Sequence, residues 1–303
     1  MDDDRDRRLR AFLDRSRFAE VGAVVTDLDG TAVHEHDGRT VISRTVEHGL
    51  KHLVDLGRPF IINSLRFPLS VLRTFGRDWF RISDAPIPTV SLNGAQIGHL
   101  VAHGEDVEFE EVEAYPLGAA EIEEALRPVG ALVHAGLRDV LVFYYPRDWR
   151  MGEIIWTPVP ERVLPVREKY RSASAVTAVA FEKLRAQMLA EEICMVFVLI
   201  DAPRDRLMAY QHADRRSFTT RAGVDKLSGA VRMAEVIGAD LAHSVGAGDT
   251  VMDSFLAGAG LAVTVGDAEL PYQGLMDSVR VRDPLAFGAL LFRMAELQRR
   301  VAL

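Results

Sequence analysis

The chain reads as an α/β protein, a parallel sheet wrapped by helices with an α+β segment inserted into it. Three observations predict this. The apolar runs VGAVVTD (21–27), PFII (59–62), TVSL (89–92), LAHSVGA (241–247) and LAVTVG (261–266) alternate with segments of helical period, the rhythm of βαβ units. The stretch between the third and fourth runs loses that rhythm and carries adjacent strand signals instead. Carboxylates, a hydroxyl and a lysine stand at the ends of the runs, where a parallel sheet gathers its ligand site.

The elements follow in order. MDDDRDRRLRAF (1–12) is charged throughout, which predicts a solvated helical arm and not a secretory signal. VGAVVTD is a buried strand. Ser43 caps a helix whose apolar positions are Val46, Leu50, Leu53 and Val54, and Gly57 ends it. PFII is a second buried strand, Pro68 to Phe75 a second helix, and TVSL a third strand closed by Asn93-Gly94. Residues 105–125 are rich in Glu and predict a solvated face. ALVHA (131–135) and DVLVFYY (139–145) predict a hairpin. Residues 146–172 have no clear period; Trp149, Arg150, Trp156 and Arg162 there are surface residues or substrate contacts. ICMVFVLI (193–200) is a strand, followed by a helix from Pro203. From Asp225 the α/β rhythm returns: a helix over 226–237, a strand ending at Gly248-Asp249, a short helix over 251–257, the strand LAVTVG, and a closing helix over 284–303.

Composition narrows the class. The chain has 303 residues, 48% apolar and 26% charged, as expected of a globular protein. Its net charge of −8 argues against non-specific nucleic-acid binding. No apolar stretch is long enough to span a bilayer. The single cysteine, Cys194, lies inside an apolar run and reads as a buried small hydrophobe. One cysteine forms no internal disulfide, which suits a cytoplasmic location.

The chemistry concentrates at VVTDLDGT (24–31). Asp27 and Asp29 are one residue apart where a strand ends, so both address one site. Two like charges that close repel, and a divalent cation is their natural offset. Ser64 with Arg66 follows the second strand, Lys226 opens a helix, and GAGDTVMD (246–253) spaces Asp249 and Asp253 four apart, on one face of a helix start. Asp27 and Asp249 supply hard oxygen ligands for Mg²⁺, while Ser64 and Lys226 supply a hydroxyl and a cation for phosphoryl oxygens. A carboxylate can also act as nucleophile and form an aspartyl-phosphate. The H-x-H pair His34 and His36 has no thiolate or third ligand beside it and reads as solvated loop.

With these pieces in place the chain resembles the haloacid dehalogenase superfamily, and within it the Cof-like and sugar-phosphate phosphatase group. The resemblance is carried by TDLDGT (26–31), INSLRF (62–67), SLNGA (91–95), GVDKLSGAV (223–231) and GAGDTVMDSFLAGAGLAVTVGDA (246–268), in family order. It implies a Rossmann-like α/β core, residues 1–94 and 217–303, and an α+β cap, residues 95–216, entering after the third core strand. It implies that Asp27 is the nucleophile and that Asp29 protonates the leaving group and then activates water. By the same resemblance Ser64, Arg66, Asn93 and Lys226 would meet the substrate. Asp27, the carbonyl of Asp29 and Asp249 would bind Mg²⁺, with Asp253 supporting the metal or orienting Lys226. The implied activity is a Mg²⁺-dependent phosphomonoesterase acting on a small phosphorylated metabolite; a phosphomutase with the same core and a non-catalytic phospholigand-binding protein are the alternatives. Two positions depart from the family pattern: Leu65 stands where Gly is usual, and Thr250-Val251-Met252 replaces the usual Asn-containing segment.

Overall fold

The computed structural model describes residues 3–36, 39–104, 106–200 and 218–301. In chain order the strands are β1 (Val24–Thr26), β2 (Val33–His36), β3 (Arg39–Ile42), β4 (Phe60–Asn63), β5 (Ile87–Ser91), β6 (Gln96–His103), β7 (Asp106–Ala114), β8 (Val140–Pro146), β9 (Ile154–Trp156), β10 (Ala175–Thr177), β11 (Ile193–Ile200), β12 (Phe218–Thr219), β13 (Val245–Gly248), β14 (Leu261–Val265) and β15 (Asp277–Val281). One sheet has the order β15-β14-β13-β1-β4-β5-β6-β7. Its strands from β15 to β5 run parallel, and β6 and β7 close it antiparallel. A second sheet has the order β10-β9-β8-β11-β12. The hairpin β2–β3 stands apart as a two-stranded ribbon.

The apolar runs explain the larger sheet. Val24, Val25, Phe60, Ile61, Ile62, Val245, Ala247, Leu261, Ala262 and Val263 are all buried, as expected of parallel strands covered on both faces. One face packs on helices Arg44–Asp55 and Pro284–Val301 through Val46, Leu50, Phe287 and Leu291. The other packs on helix Lys226–Val236 through Ala230, Met233 and Ala234. The order places the C-terminal ends of β1, β4 and β13 side by side, so residues 27, 64 and 249 become neighbours.

In the second sheet the two-residue period separates two surfaces. Val140, Val142, Tyr144, Val196 and Ile193 pack with helices Ala119–His134 and Phe181–Ala190. Leu141, Phe143, Tyr145, Met195 and Phe197 form the opposite face and cluster with Phe67, Leu92 and Ala95 of the first sheet's loops. That shared cluster seats one sheet over the other.

Several expectations are corrected. The N-terminal helix Asp3–Arg15 is docked and not a free arm: Leu9 and Phe12 are buried, Arg8 pairs with Asp277 at 2.9 Å and Asp6 with Arg293 at 2.7 Å. The predicted hairpin of 131–135 with 139–145 does not form. Residues 131–134 are the last turn of helix Ala119–His134, whose buried positions Ile122, Leu126 and Val129 set a helical period upstream. DVLVFYY is β8, and it pairs with β9 and β11. Residues 96–114 continue the larger sheet as β6 and β7, so the 94/95 boundary falls inside that sheet. The acidic 105–125 stretch spans β7 and the start of helix Ala119–His134, and β7 is an edge strand, where charged side chains discourage pairing with other chains. Leu241–His243 is a short 3₁₀ turn before β13, and the short helix is shortened to the 3₁₀ turn Ser254–Ala257. The helix expected from Pro203 lies outside the described residues. Cys194 is buried on β11, as expected.

Candidate active site

Asp27 ends β1, and its N–H donates to the Ala247 carbonyl at 2.8 Å, extending the β1–β13 register by one residue. Its Oδ1 accepts from Lys226 Nζ at 2.5 Å. The same ammonium donates to Asp253 Oδ1 at 2.7 Å. Lys226 is 2% exposed, Asp27 5% and Asp253 0%, so this bridge is made in a low-dielectric setting where bare charges are costly. Lys226 opens its helix because Asp225 caps it: Asp225 Oδ1 accepts the Ser228 N–H at 2.9 Å and Ser228 Oγ accepts the Asp225 N–H at 2.9 Å. Asn63, at the end of β4, donates to the Lys226 carbonyl at 2.8 Å and ties that helix start to the sheet.

Asp249 and Asp253 share a turn and not a helix face. Asp253 Oδ2 accepts the N–H groups of Asp249 and Thr250, both at 2.9 Å. With Lys226 on the other oxygen, Asp253 is fully committed to holding its neighbours. Asp249 is half-buried, and its Oδ1 accepts from Thr31 Oγ1 at 3.4 Å. Gly30, at φ 76°, lets this carboxylate lie across the Asp29–Thr31 turn; a Cβ there would collide with Asp249 Oδ2.

The electrostatics follow from this packing. Burial pushes the Asp27 carboxyl well above the usual range; Lys226 pulls it back, and Asp253, Asp249 and Asp29 push it further up. Burial, then the charge of Asp253, pushes Asp249 up to about 7. Burial alone would lower the Lys226 ammonium, but Asp253 and Asp27 outweigh it and hold it above its ordinary value. Oxygens of Asp27, Asp249 and Asp253 lie within 4.8 Å of one another. Crowded carboxylates, with the proton affinity of Asp27 and Asp249 raised, are a donor set suited to a hard divalent cation. Asp27 and Asp249 have oxygens to offer it, and Asp253 orients them.

Asp29 is not part of this trio. Its two oxygens take a fork from Arg66, Nη2 to Oδ1 at 2.6 Å and Nε to Oδ2 at 2.8 Å. Arg66 also donates to Ser70 Oγ at 3.1 Å and Thr74 Oγ1 at 3.0 Å. Ser64 is 1% exposed, and its N–H donates to the Val90 carbonyl at 2.9 Å, which fixes the turn after β4. Asn93 is brought near but not into the site: it adopts φ 58°, donates its N–H to the Ser64 carbonyl at 3.3 Å, and is absent from the cavity wall.

A cavity of about 720 Å³ lies between the two sheets. Its floor is Asp27, Asp29, Ser64, Arg66, Lys226 and Asp249, and its roof is Phe143, Tyr145, Met195, Phe197 and Phe218. His34 reaches it from β2, a strand where a loop was expected. Trp149, Arg150, Trp156 and Arg162 are not in its wall. Trp156 is fully buried and donates to the Val179 carbonyl at 2.8 Å, Arg150 stacks on Trp149 at 4.8 Å, and Arg162 pairs with Asp139 at 3.1 Å. Sequence reasoning missed Asn63 and Glu153. Asn63 is adjacent to Ser64 and its position at a strand end is a visible signal; Glu153 has no local signal at all.

Among solved structures, the chain is similar to a phosphatase of the haloalkanoate (HAD) enzyme superfamily from Bacteroides thetaiotaomicron, with TM-score 0.63 and 18% identity over 91% of this chain and 96% of that one. It is similar to a HAD subclass IIB sugar phosphatase, with TM-score 0.57 and 16% identity over 93% of this chain and 99% of that one. It is also similar to a haloacid dehalogenase-like hydrolase from B. subtilis, with TM-score 0.60 and 17% identity over 92% and 99% of the two chains. No family model and no curated protein matches the sequence. The fold is therefore that of the HAD phosphatases, as the motif resemblance implied. At these identities the likeness defines the fold, and activity is argued from the site.

Proposed function

We propose that the protein is a phosphomonoesterase that hydrolyses a small phosphorylated metabolite, a sugar phosphate class of substrate, through an aspartyl-phosphate on Asp27. The observation that carries this reading is the buried Lys226 ammonium bridging Asp27 and Asp253 on the cavity floor. An ammonium there pulls Asp27 back towards its ionised form against burial and presents a charge to phosphoryl oxygens.

In this reading an Asp27 oxygen attacks phosphorus and the ester P–O bond breaks. Asp29 gives its proton to the departing alcohol oxygen. A water then attacks phosphorus, Asp29 takes its proton, the acyl-phosphate P–O bond breaks, and Asp27 is restored with release of inorganic phosphate. Arg66 forks onto both oxygens of Asp29 here, so one of those two bonds gives way when Asp29 carries the proton it donates, and the other keeps it oriented. Ser64 and Lys226 bind the phosphoryl oxygens. Mg²⁺, held by Asp27 and Asp249, would supply charge neutralisation of the phosphoryl group. The second sheet and its helices act as a cap that excludes bulk water and selects the alcohol.

The test is release of inorganic phosphate from a panel of phosphate monoesters with Mg²⁺, with EDTA, and with Asp27→Asn. The reading expects turnover that both EDTA and the substitution abolish. Full metal-dependent turnover by Asp27→Asn would remove Asp27 as nucleophile. Isomerised product without phosphate release would make the protein a mutase.

A further inference from the structure

Among the described residues, Glu153 is the one carboxylate that the roof contributes to the cavity wall. It is 8% exposed, on the turn before β9. Gly152 makes that turn at φ 62° and packs against Phe67, since a Cβ there would lie 3.3 Å from the Phe67 ring and would collide with Ser174 Oγ. The turn thus seats Glu153 in the cavity wall beside Phe67. Tyr145 Oη donates to Glu153 Oε2 at 2.6 Å, and Ser172 Oγ approaches Oε1 at 3.5 Å. The contact of Gly152 with Phe67, the residue after Arg66, places the carboxylate on the Asp29–Arg66 side of the cavity, where the leaving alcohol would lie, and the Arg66 charge acts on it there.

Two protein donors leave a carboxylate with further acceptor sites. A buried acceptor facing a cavity is a recognition element, because a ligand that offers no donor leaves it unsatisfied. Lys169 and Arg171 already supply positive charge to the same wall, so an added ammonium would meet repulsion. A neutral hydroxyl meets none. The aromatic faces of Phe143, Tyr145 and Tyr170 beside it suit the C–H face of a hydroxylated ring.

We infer that Glu153, oriented by Tyr145, is the specificity-determining residue that accepts a hydrogen bond from a hydroxyl of the leaving alcohol, which makes the substrate a phosphate ester of a polyhydroxy alcohol. The inference rests on the phosphomonoesterase reading. Its test compares kcat/KM for a hexose 6-phosphate and for n-hexyl phosphate, which has the chain but no hydroxyls, in the wild type, Glu153→Gln, Glu153→Ala and Tyr145→Phe. A site built to bond a hydroxyl rejects the analogue lacking it by large factors, so the wild-type ratio is expected at ~100 or more. The Glu153 variants are expected to bring that ratio below ~10, mainly by raising KM for the hexose ester, with Tyr145→Phe between. A purely structural role would lower both esters together and leave the ratio intact, which would overturn the inference. A wild-type ratio near 1 would also overturn it while leaving the phosphatase reading standing. Absence of phosphate release from both esters and from a wider panel would overturn both.

Discussion

Replacing Lys226 with Met tests the electrostatic account of the site without reference to any substrate. Met keeps the length and apolar body of the side chain and removes only the ammonium. In the folded protein that ammonium touches Asp27 at 2.5 Å and Asp253 at 2.7 Å, both essentially buried. Removing one partner of such a group leaves uncompensated buried charge, at about 3–5 kcal/mol, a large part of a typical domain stability of about 5–15 kcal/mol. The loss depends on pH. Burial and the neighbouring carboxylates already hold the Asp27 carboxyl well above its ordinary value, and without Lys226 it rises further. A carboxyl raised in the folded state retains its proton where the unfolded chain has released it. Stability then falls as pH rises from the unfolded value towards the folded one, by about 1.4 kcal/mol per pH unit for each retained proton. Urea denaturation in EDTA is therefore expected to show Lys226→Met losing about 3 kcal/mol against wild type at pH 5.5 and about 5 kcal/mol at pH 8. A loss under about 1 kcal/mol at pH 8, or one that is the same at both pH values, would refute the reasoning.

Other predictions follow from single observations. Asp249 is pushed up to about 7, and metal binding requires it ionised. Calorimetric titration with Mg²⁺ in two buffers of different ionisation enthalpy is expected to show more proton release per ion at pH 6 than at pH 8. The same proton makes the metal-free protein lose stability as pH rises from about 4 to about 7, so thermal unfolding in EDTA should move to lower temperature over that range. Gly30→Ala places a Cβ against Asp249 and forces a left-handed φ of 76°. It is expected to cost about 1–3 kcal/mol and to reduce phosphate release more than tenfold, and normal activity would show that Asp249 is not held over this turn. Cys194 is fully buried, and burial pushes its thiol up to about 12. Native protein is expected to resist a thiol-alkylating reagent at pH 8 and to label in urea; rapid native labelling would contradict the buried placement.

Elements that depend on their own residues were legible. ICMVFVLI is β11 at the same bounds, and the stripe read over 226–237 is helix Lys226–Val236. The carboxylates at 27 and 249 are legible too, because they follow strands whose apolar content is unambiguous. ALVHA misled because five residues of apolar and β-branched character fit a strand equally well, while the helix had been set three turns earlier. β15 and the β2–β3 hairpin escaped notice because DSVRV and VHEH carry little apolar signal; pairing with β14 or with each other forms them. Asp29 and Arg66 both stand out at strand ends, but nothing in their spacing says that one forks onto the other.

What the amino-acid order alone determined is the α/β core, the strand ends that carry Asp27, Ser64 and Asp249, and the helix start that carries Lys226. Each follows from local period, capping and turn chemistry. Tertiary structure alone decided how those groups divide their work. The Asp27–Lys226–Asp253 bridge spans residues from opposite ends of the chain, and burial together with the charges it gathers decides which carboxylates keep protons. It also decided the cavity roof. Glu153 is an ordinary acidic residue in an irregular stretch until the fold of its turn, the packing of Gly152 on Phe67 and the hydroxyl of Tyr145 place it in the cavity wall. Interactions between residues far apart in sequence leave no periodic trace, because their spacing is set by the path of the folded chain and not by the geometry of any one helix or strand.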